Sequence, residues 1–363
     1  SNTSLREVTL GSGLDGIEQG MFVNCENLSA IQFPSNITYI GDSAFNYTGL
    51  TAVDIPDTVT SIGISAFANC KSLQEVNIGS GMTYIADSAF SGCDLKDLTI
   101  GGKVESIGMF AFSGSQNLES VVIPNSVTEI EYGAFQNCGN LLEIEIPDSV
   151  EAIGGFVFDS MNSSNNTAWY DSQEDGIVYA GKVLYKYKGM APEGTAVTVE
   201  DGTKGIAGYA FYWQYGITEV QIPNTVTNIG DYAFLGCEKL TEIRIPQSVK
   251  KIGEGALGYL DADGLKVEGF TIYGAAGSAA QQYAKENGFE FIEVEPEYTL
   301  GDVDENGSVD ISDLRLVLRA VCGKTELTDN QKLAADVEKD NAVNIQDLRK
   351  ILRYVCRKID SFE

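Results

Sequence analysis

Near the C-terminal end, two stretches place oxygen-bearing side chains at matching intervals. Residues 302–323 read DVDENGSVDISDLRLVLRAVCG and residues 336–357 read DVEKDNAVNIQDLRKILRYVCR, an offset of 34 with 11 of 22 positions identical. Each opens with twelve residues that offer oxygens at positions 1, 3, 5, 7, 9 and 12, the donor set that a hard cation such as calcium requires. In the first loop the donors are Asp302, Asp304, Asn306, the backbone carbonyl of Ser308, Asp310 through water, and Asp313, with Gly307 at the sharp turn. In the second they are Asp336, Glu338, Asp340, the carbonyl of Ala342, Asn344 and Asp347. Asn341 replaces the glycine there, and asparagine is among the few non-glycine residues that enter the left-handed region readily. Two calcium ions are expected, one per loop.

Other chemistry has little to work with. The chain of 363 residues contains no histidine, which removes Ser-His-Asp and Cys-His catalysis and imidazole metal ligands. A formal charge of −28 argues against nucleic acid, whose phosphates need cationic neutralisation. Paired carboxylates could hydrolyse glycosides, but the acids recur with the repeats described below and nothing singles out a pair. The reading is therefore of a protein that is not an enzyme. No apolar run is long enough to span a membrane. No basic-then-apolar leader opens the chain, although Ser1-Asn2 resembles the remnant left by a tag-cleaving protease, which leaves room for a removed leader.

The two loops need elements to hold them. Leu314, Val317, Leu318 and Val321, and likewise Leu348, Ile351, Leu352 and Val355, fall at helical spacing and predict one helix after each loop. No helix is predicted before the first loop, where Glu-Pro-Glu stands. Cys322 and Cys356 fall near the two helix ends and are expected to stay free.

Upstream, internal repetition dominates. Leu5, Leu28, Leu50, Leu73, Leu95, Leu118 and Leu141 open successive units of 22 or 23 residues, and Ile217 and Leu240 resume the series. The unit at 50–72, LTAVDIPDTVTSIGISAFANCKS, alternates apolar residues as a half-buried strand does, ends it with Pro, turns at Gly and inserts an Ala-Phe plug. One unit cannot bury its own apolar face, so stacking into a solenoid is expected. Cys25, Cys70, Cys93, Cys138 and Cys237 share one slot with Thr48 and Ser115, and are read as buried structural thiols. Residues Asp54, Glu75, Asp97, Glu143, Glu145, Glu219, Glu242 and Arg244 are expected to line one broad face, either as a solvated acidic surface or as a ligand surface. Residues 159–195 interrupt the array, and GIVYAGKVLYKYKG reads as a β-hairpin. Trp169, Tyr170 and Trp213, among other aromatics here, could form a platform for sugar rings or could simply pack the hairpin. Ser278 and Gly288 delimit a helix read as the polar cap that ends the array.

The repeat pattern resembles the leucine-rich repeats of the BspA-like subclass over residues 5–292, and the duplicated loop-helix unit resembles a type I dockerin over residues 300–363. Together these give a mixed fold class: a β-rich leucine-rich repeat solenoid over 1–292 (insert 159–195, cap 270–292), a linker at 293–299 and a small all-α calcium-binding dockerin at 300–363. The dockerin resemblance implies a cohesin module of a scaffoldin as partner, secretion, and attachment to a bacterial cellulosome. It implies contact through Ile311, Ser312, Leu318 and Arg319, and through Ile345, Gln346, Leu352 and Arg353. The repeat array would then present a recognition or adhesion surface to an unknown protein or polysaccharide. A carbohydrate-binding module and, further off, a hydrolase are the alternatives.

Overall fold

In the computed structural model, residues 4–160, 165–294, 298–340 and 342–362 are described. The repeats stack as a series of flat coils, each displaced by one 22- or 23-residue unit, and the strand pairing between regular units is parallel. On one side run the strands that follow the opening leucine, such as Ala52–Ile55, Glu75–Ile78 and Asp97–Thr99, with Val53 opposite Val76 and Val76 opposite Leu98. On a second side run two-residue strands such as Tyr84–Ile85, Ser106–Ile107, Glu129–Ile130 and Ala152–Ile153. Tight turns bearing the Ala-Phe pair close the third side, where the Phe45 amide donates to the Ala66 carbonyl and the Phe67 amide to the Ala89 carbonyl.

The Ala-Phe plug builds the core. Phe22, Phe45, Phe67, Phe90, Phe112, Phe135 and Phe158 form one stack with centroid spacings between 5.0 and 6.2 Å, and Phe211 and Phe234 form a second at 4.8 Å. The opening leucines from Leu28 to Leu141 are fully buried beside them. The shared cysteine slot is buried too. The thiols of Cys70, Cys93, Cys138 and Cys237 donate to the carbonyls of Phe45, Phe67, Phe112 and Phe211, one coil back. Burial pushes the Cys138 and Cys237 thiols up to about 12, so neither is a nucleophile at neutral pH.

The interruption is an antiparallel hairpin, Gly176–Ala180 with Val183–Lys188, preceded by a four-residue helix, α1 (Ala168–Asp171). Val183–Lys188 also pairs in parallel with Gly205–Ile206, and so replaces a coil. Val183 and Tyr185 belong to the apolar core on its N-terminal side and Leu184 to the core on its C-terminal side. Tyr185 meets Phe158 at 5.2 Å, and Tyr187 meets Phe211 at 6.4 Å. One strand thus bridges the gap between the two phenylalanine stacks. Beneath it, Asp159 accepts the Tyr185 hydroxyl and pairs with Lys186 at 3.0 Å, all three residues being buried. The array closes on α2 (Ala279–Asn287), capped by Ser278 and ended by Gly288 in the left-handed region at φ 66°. Glu290–Glu293 then adds a last parallel strand beside Thr271–Gly274.

The C-terminal module has its own small core of Val303, Val317, Ala334, Ala335, Val337 and Ile351. It holds α3 (Ile311–Val321), α4 (Asp329–Ala335) and α5 (Ile345–Val355), with α3 packed on α5. Helix α4 precedes the second loop and is not foreshadowed by apolar spacing.

Candidate metal centres and docking face

Each loop folds around its twelfth residue. Asp313 is fully buried and accepts the amides of Val303, Asp304 and Asp310 at 2.6, 2.9 and 2.8 Å. Asp302 accepts those of Asn306 and Gly307 at 3.0 and 2.9 Å. Gly307 has φ +87°, the left-handed turn expected at position six. As a result Asp302, Asp304 and Asp313 bring carboxylate oxygens within 4.8 Å of one another. Asp304 keeps one buried oxygen with no hydrogen-bond partner. Burial and the neighbouring carboxylates push Asp302 and Asp304 up to about 6. An orphaned buried oxygen among crowded carboxylates is the environment a hard divalent cation satisfies, and the first loop fits calcium on that test.

The second loop repeats the plan with differences. Asp336, Asp340 and Asp347, at positions 1, 5 and 12 where the first loop uses 1, 3 and 12, form a second cluster within 4.8 Å. Asp347 accepts the amides of Glu338 and Asn344 at 3.0 and 2.9 Å. The Glu338 side chain is outside the cluster, paired with Lys350 at 3.6 Å. The Asn344 side-chain amide donates to the Ala342 carbonyl at 3.0 Å and to Asp340 at 3.3 Å, spanning two of the expected donors. Asn341 lies outside the described residues. Asp310 and Asn344, expected as ninth-position donors, instead cap α3 and α5: each accepts the amide two residues on, in a reciprocal capping box with Asp313 and Asp347 respectively. The side-chain oxygen of Asn306 accepts the Ser308 amide at 2.9 Å, and Ser308 itself is exposed.

The loops aim the helices. Ile311, Ser312, Leu318 and Arg319 are exposed on α3, and Ile345, Gln346, Leu352 and Arg353 are exposed on α5. The four apolar members are between 44% and 48% exposed, whereas Val317 and Ile351 are buried. Ile345, Gln346 and Arg353 also line a groove of about 910 Å³ with Arg349 and Lys350. Cys322 and Cys356 are both free and exposed.

On the array, the aromatics of the insert separate into two groups. Tyr170 is buried, and Trp169 packs on Phe158 and Tyr185 at 4.9 and 6.1 Å, so these two rings fill the seam and do not form an exposed platform. Trp213 is exposed. Asp54, Glu75, Asp97, Glu143, Glu145, Glu219, Glu242 and Arg244 are exposed or half-buried on the longer-strand side. Two features escape a reading of apolar spacing. Helix α4 is signalled by Thr328-x-x-Gln331, which forms a capping box. A cluster of half-buried tyrosines, Tyr132, Tyr209 and Tyr232, is hidden because they fall in two neighbouring variable slots of the repeat, Tyr132 two residues after Ile130 and the others three residues after Ile206 and Ile229.

A family model described as "BspA type Leucine rich repeat region" matches residues 1–108, 85–173 and 195–267, six copies in all. One described as "Dockerin type I domain" matches residues 300–356. No curated protein matches. Among solved structures, the chain is similar to a leucine-rich repeat protein from Eubacterium ventriosum at 34% identity, over 67% of this chain and 59% of that one, with a TM-score of 0.35. It is similar to a leucine rich cell surface protein from Faecalibacterium prausnitzii at 25% identity, over 75% and 90%, with a TM-score of 0.34. A leucine-rich repeat protein from Bacteroides ovatus shares 19% identity over 81% and 85%, with a TM-score of 0.35.

Proposed function

From the premise that the chain belongs to the BspA-type leucine-rich repeat family and ends in a type I dockerin domain, we propose that it is a docking protein of a bacterial cellulosome. The dockerin would bind a cohesin module of a scaffoldin, with calcium held in both loops, and the repeat array would face outward as a recognition or adhesion surface. Both modules belong to non-catalytic families. Secretion follows from the same reading, since cohesins are extracellular partners.

One observation carries the docking reading. Ile311, Leu318, Ile345 and Leu352 expose large apolar side chains at equivalent places on two equivalent helices, each flanked by an exposed arginine, Arg319 or Arg353. Apolar groups of this size stay exposed where a partner covers them. Asp302, Asp304 and Asp313, with Asp336, Asp340 and Asp347, supply the carboxylates that bound calcium would draw together, fixing where α3 and α5 begin. The side chains then act as a preformed surface. The near-symmetry of the two units would allow the partner two orientations, a symmetry that Ser312 against Gln346 weakens.

The test is calorimetric titration of the full chain with a panel of recombinant type I cohesins, in calcium and in chelator. Binding in calcium that vanishes in chelator is expected. Leu318→Asp or Leu352→Asp alone should weaken it a few-fold, and the pair together by about thirty-fold or more, the loss of a central apolar anchor. No binding to any cohesin while α3 and α5 remain folded in calcium would overturn the reading.

A further inference from the structure

The side of the array that carries the two-residue strands has a depression of about 280 Å³ where the hairpin interrupts the repeats. Its floor is glycine. Gly154 and Gly155 come from the coil before the insert, and Gly208 and Gly230 from the coils after it. At the place of Gly155, other coils carry side chains such as Asp42, Ile64 or Met109. Tyr132, Tyr209 and Tyr232 line it as one contiguous aromatic patch, Tyr209 lying 6.2 Å from Tyr132, edge to face, and 5.2 Å from Tyr232, centroid to centroid. Glu129, Glu131, Asn228, Asp231 and Lys251 surround the rings.

Two details set this notch apart from the other coils. First, Tyr209 and Tyr232 have φ of 56° and 54°, and Phe156 and Phe110 have 55°, in a slot that Gly20, Gly133 and Gly255 or the small Ser43, Ser65 and Ser88 fill elsewhere. A bulky side chain in the left-handed region is a costly choice where serine serves the same turn, and here the Tyr209 ring also packs on Phe156 at 4.9 Å. Gly155 makes room for it: a Cβ there would stand 2.4 Å from the Tyr209 ring. Second, the hydroxyls of Tyr132 and Tyr209 have no hydrogen-bond partner among the described residues, although both side chains are half-buried.

We propose that this notch is a subsite for one pyranose ring of a neutral glycan. The proposal rests on the array being the outward recognition surface, and it names what that surface recognises. The outer side of the ring patch offers a flat apolar surface to the C–H face of a sugar. Around it stand donors (the two free hydroxyls, Lys251), acceptors (Glu129, Glu131, Asp231) and an amide that is both, Asn228, which is the mixed set that a polyhydroxylated ring pairs with. An anionic sugar would meet three carboxylates. A cationic side chain would need acceptors alone, whereas Lys251 stands among them and burial, with Asp87 and Glu129, pushes the Glu131 carboxyl up toward its neutral form. The occupant that suits both donors and acceptors is a neutral one.

The full chain would be titrated with cellohexaose, xylohexaose and mannohexaose, and with a tetralysine peptide, by calorimetry in chelator. Binding of at least one hexasaccharide with a dissociation constant below a millimolar is expected. It should weaken at least tenfold in Tyr132→Ala and in the rim variant Asn228→Ala, with the far-ultraviolet dichroism of the array unchanged; the rim variant guards against a loss of packing in the first. Absence of binding by all three sugars would overturn the proposal, as would binding that survives both substitutions or binding of the peptide alone. Since chelator removes the cohesin interaction and leaves the array, failure here is separate from failure of the docking reading.

Discussion

Asp302 and Asp304 illustrate how a cation site is written into single side chains before any cation arrives. Their carboxyls are held up to about 6 by burial and by neighbouring carboxylates, against an ordinary value of 3.8. In chelator, the folded loop therefore keeps protons that the unfolded chain has released, and stability falls as pH rises between those two values. Amide exchange in α3, corrected for intrinsic rate and followed by mass spectrometry in chelator, should be slower at pH 4.5 than at pH 6.5. Faster exchange at pH 4.5 would refute the crowding of these two acids. The cysteines make a second prediction at this scale. Five thiols are buried and two, Cys322 and Cys356, are exposed. A disulfide reagent should titrate two thiols quickly and the other five only on denaturation. The small-residue slot is legible in the sequence because Thr48 and Ser115 share it. The carbonyl one coil back that receives each thiol is not, since only stacking brings it near.

At the scale of elements, the phenylalanine stack does for the array what a coiled seam does for helices: each ring is packed by the ring before and after it. Phe90 sits between Phe67 and Phe112 at 5.2 and 5.6 Å and is fully buried. Phe90→Ala should cost about 3–5 kcal/mol, the loss of a buried aromatic with a cavity left behind, read as a fall in denaturation midpoint with the cohesin affinity unchanged. The strands, the Pro stops and the plug are readable from one repeating pattern because the two-residue alternation and the repeat period reinforce each other. Elements without such reinforcement are harder to read. Helical spacing alone does not separate Leu318 and Leu352, which are exposed, from Val317 and Ile351, which are buried. Helix α4 carries little apolar periodicity and announces itself only through its cap. The tyrosine notch is illegible for a further reason: it joins coils on either side of an insertion. Tyr132 and Tyr209, distant in the chain, become neighbours only when Val183–Lys188 takes the place of a coil.

At the scale of the whole molecule, the described residues form three apolar cores, two within the array and one in the dockerin. The array's cores need no metal, whereas the dockerin core depends on loops whose carboxylates repel one another until neutralised. Chelation should therefore remove the helical signal of α3 and α5 while the array keeps its thermal transition, and circular dichroism with calorimetry on the same sample would show both. Loss of the array's transition in chelator would mean that the two modules are energetically one. The strand Val183–Lys188, with alternate side chains given to different cores, has a mechanical meaning as well. A protein moored at its C-terminal module and gripped along its flank carries load through every coil in series. Parallel two-residue ladders come undone coil by coil, so the array should lengthen under tension as a yielding spring. The strand shared by the two cores divides the array into two parts, and optical-trap extension should show it giving way first on one side of residues 183–188, in two separate episodes of lengthening.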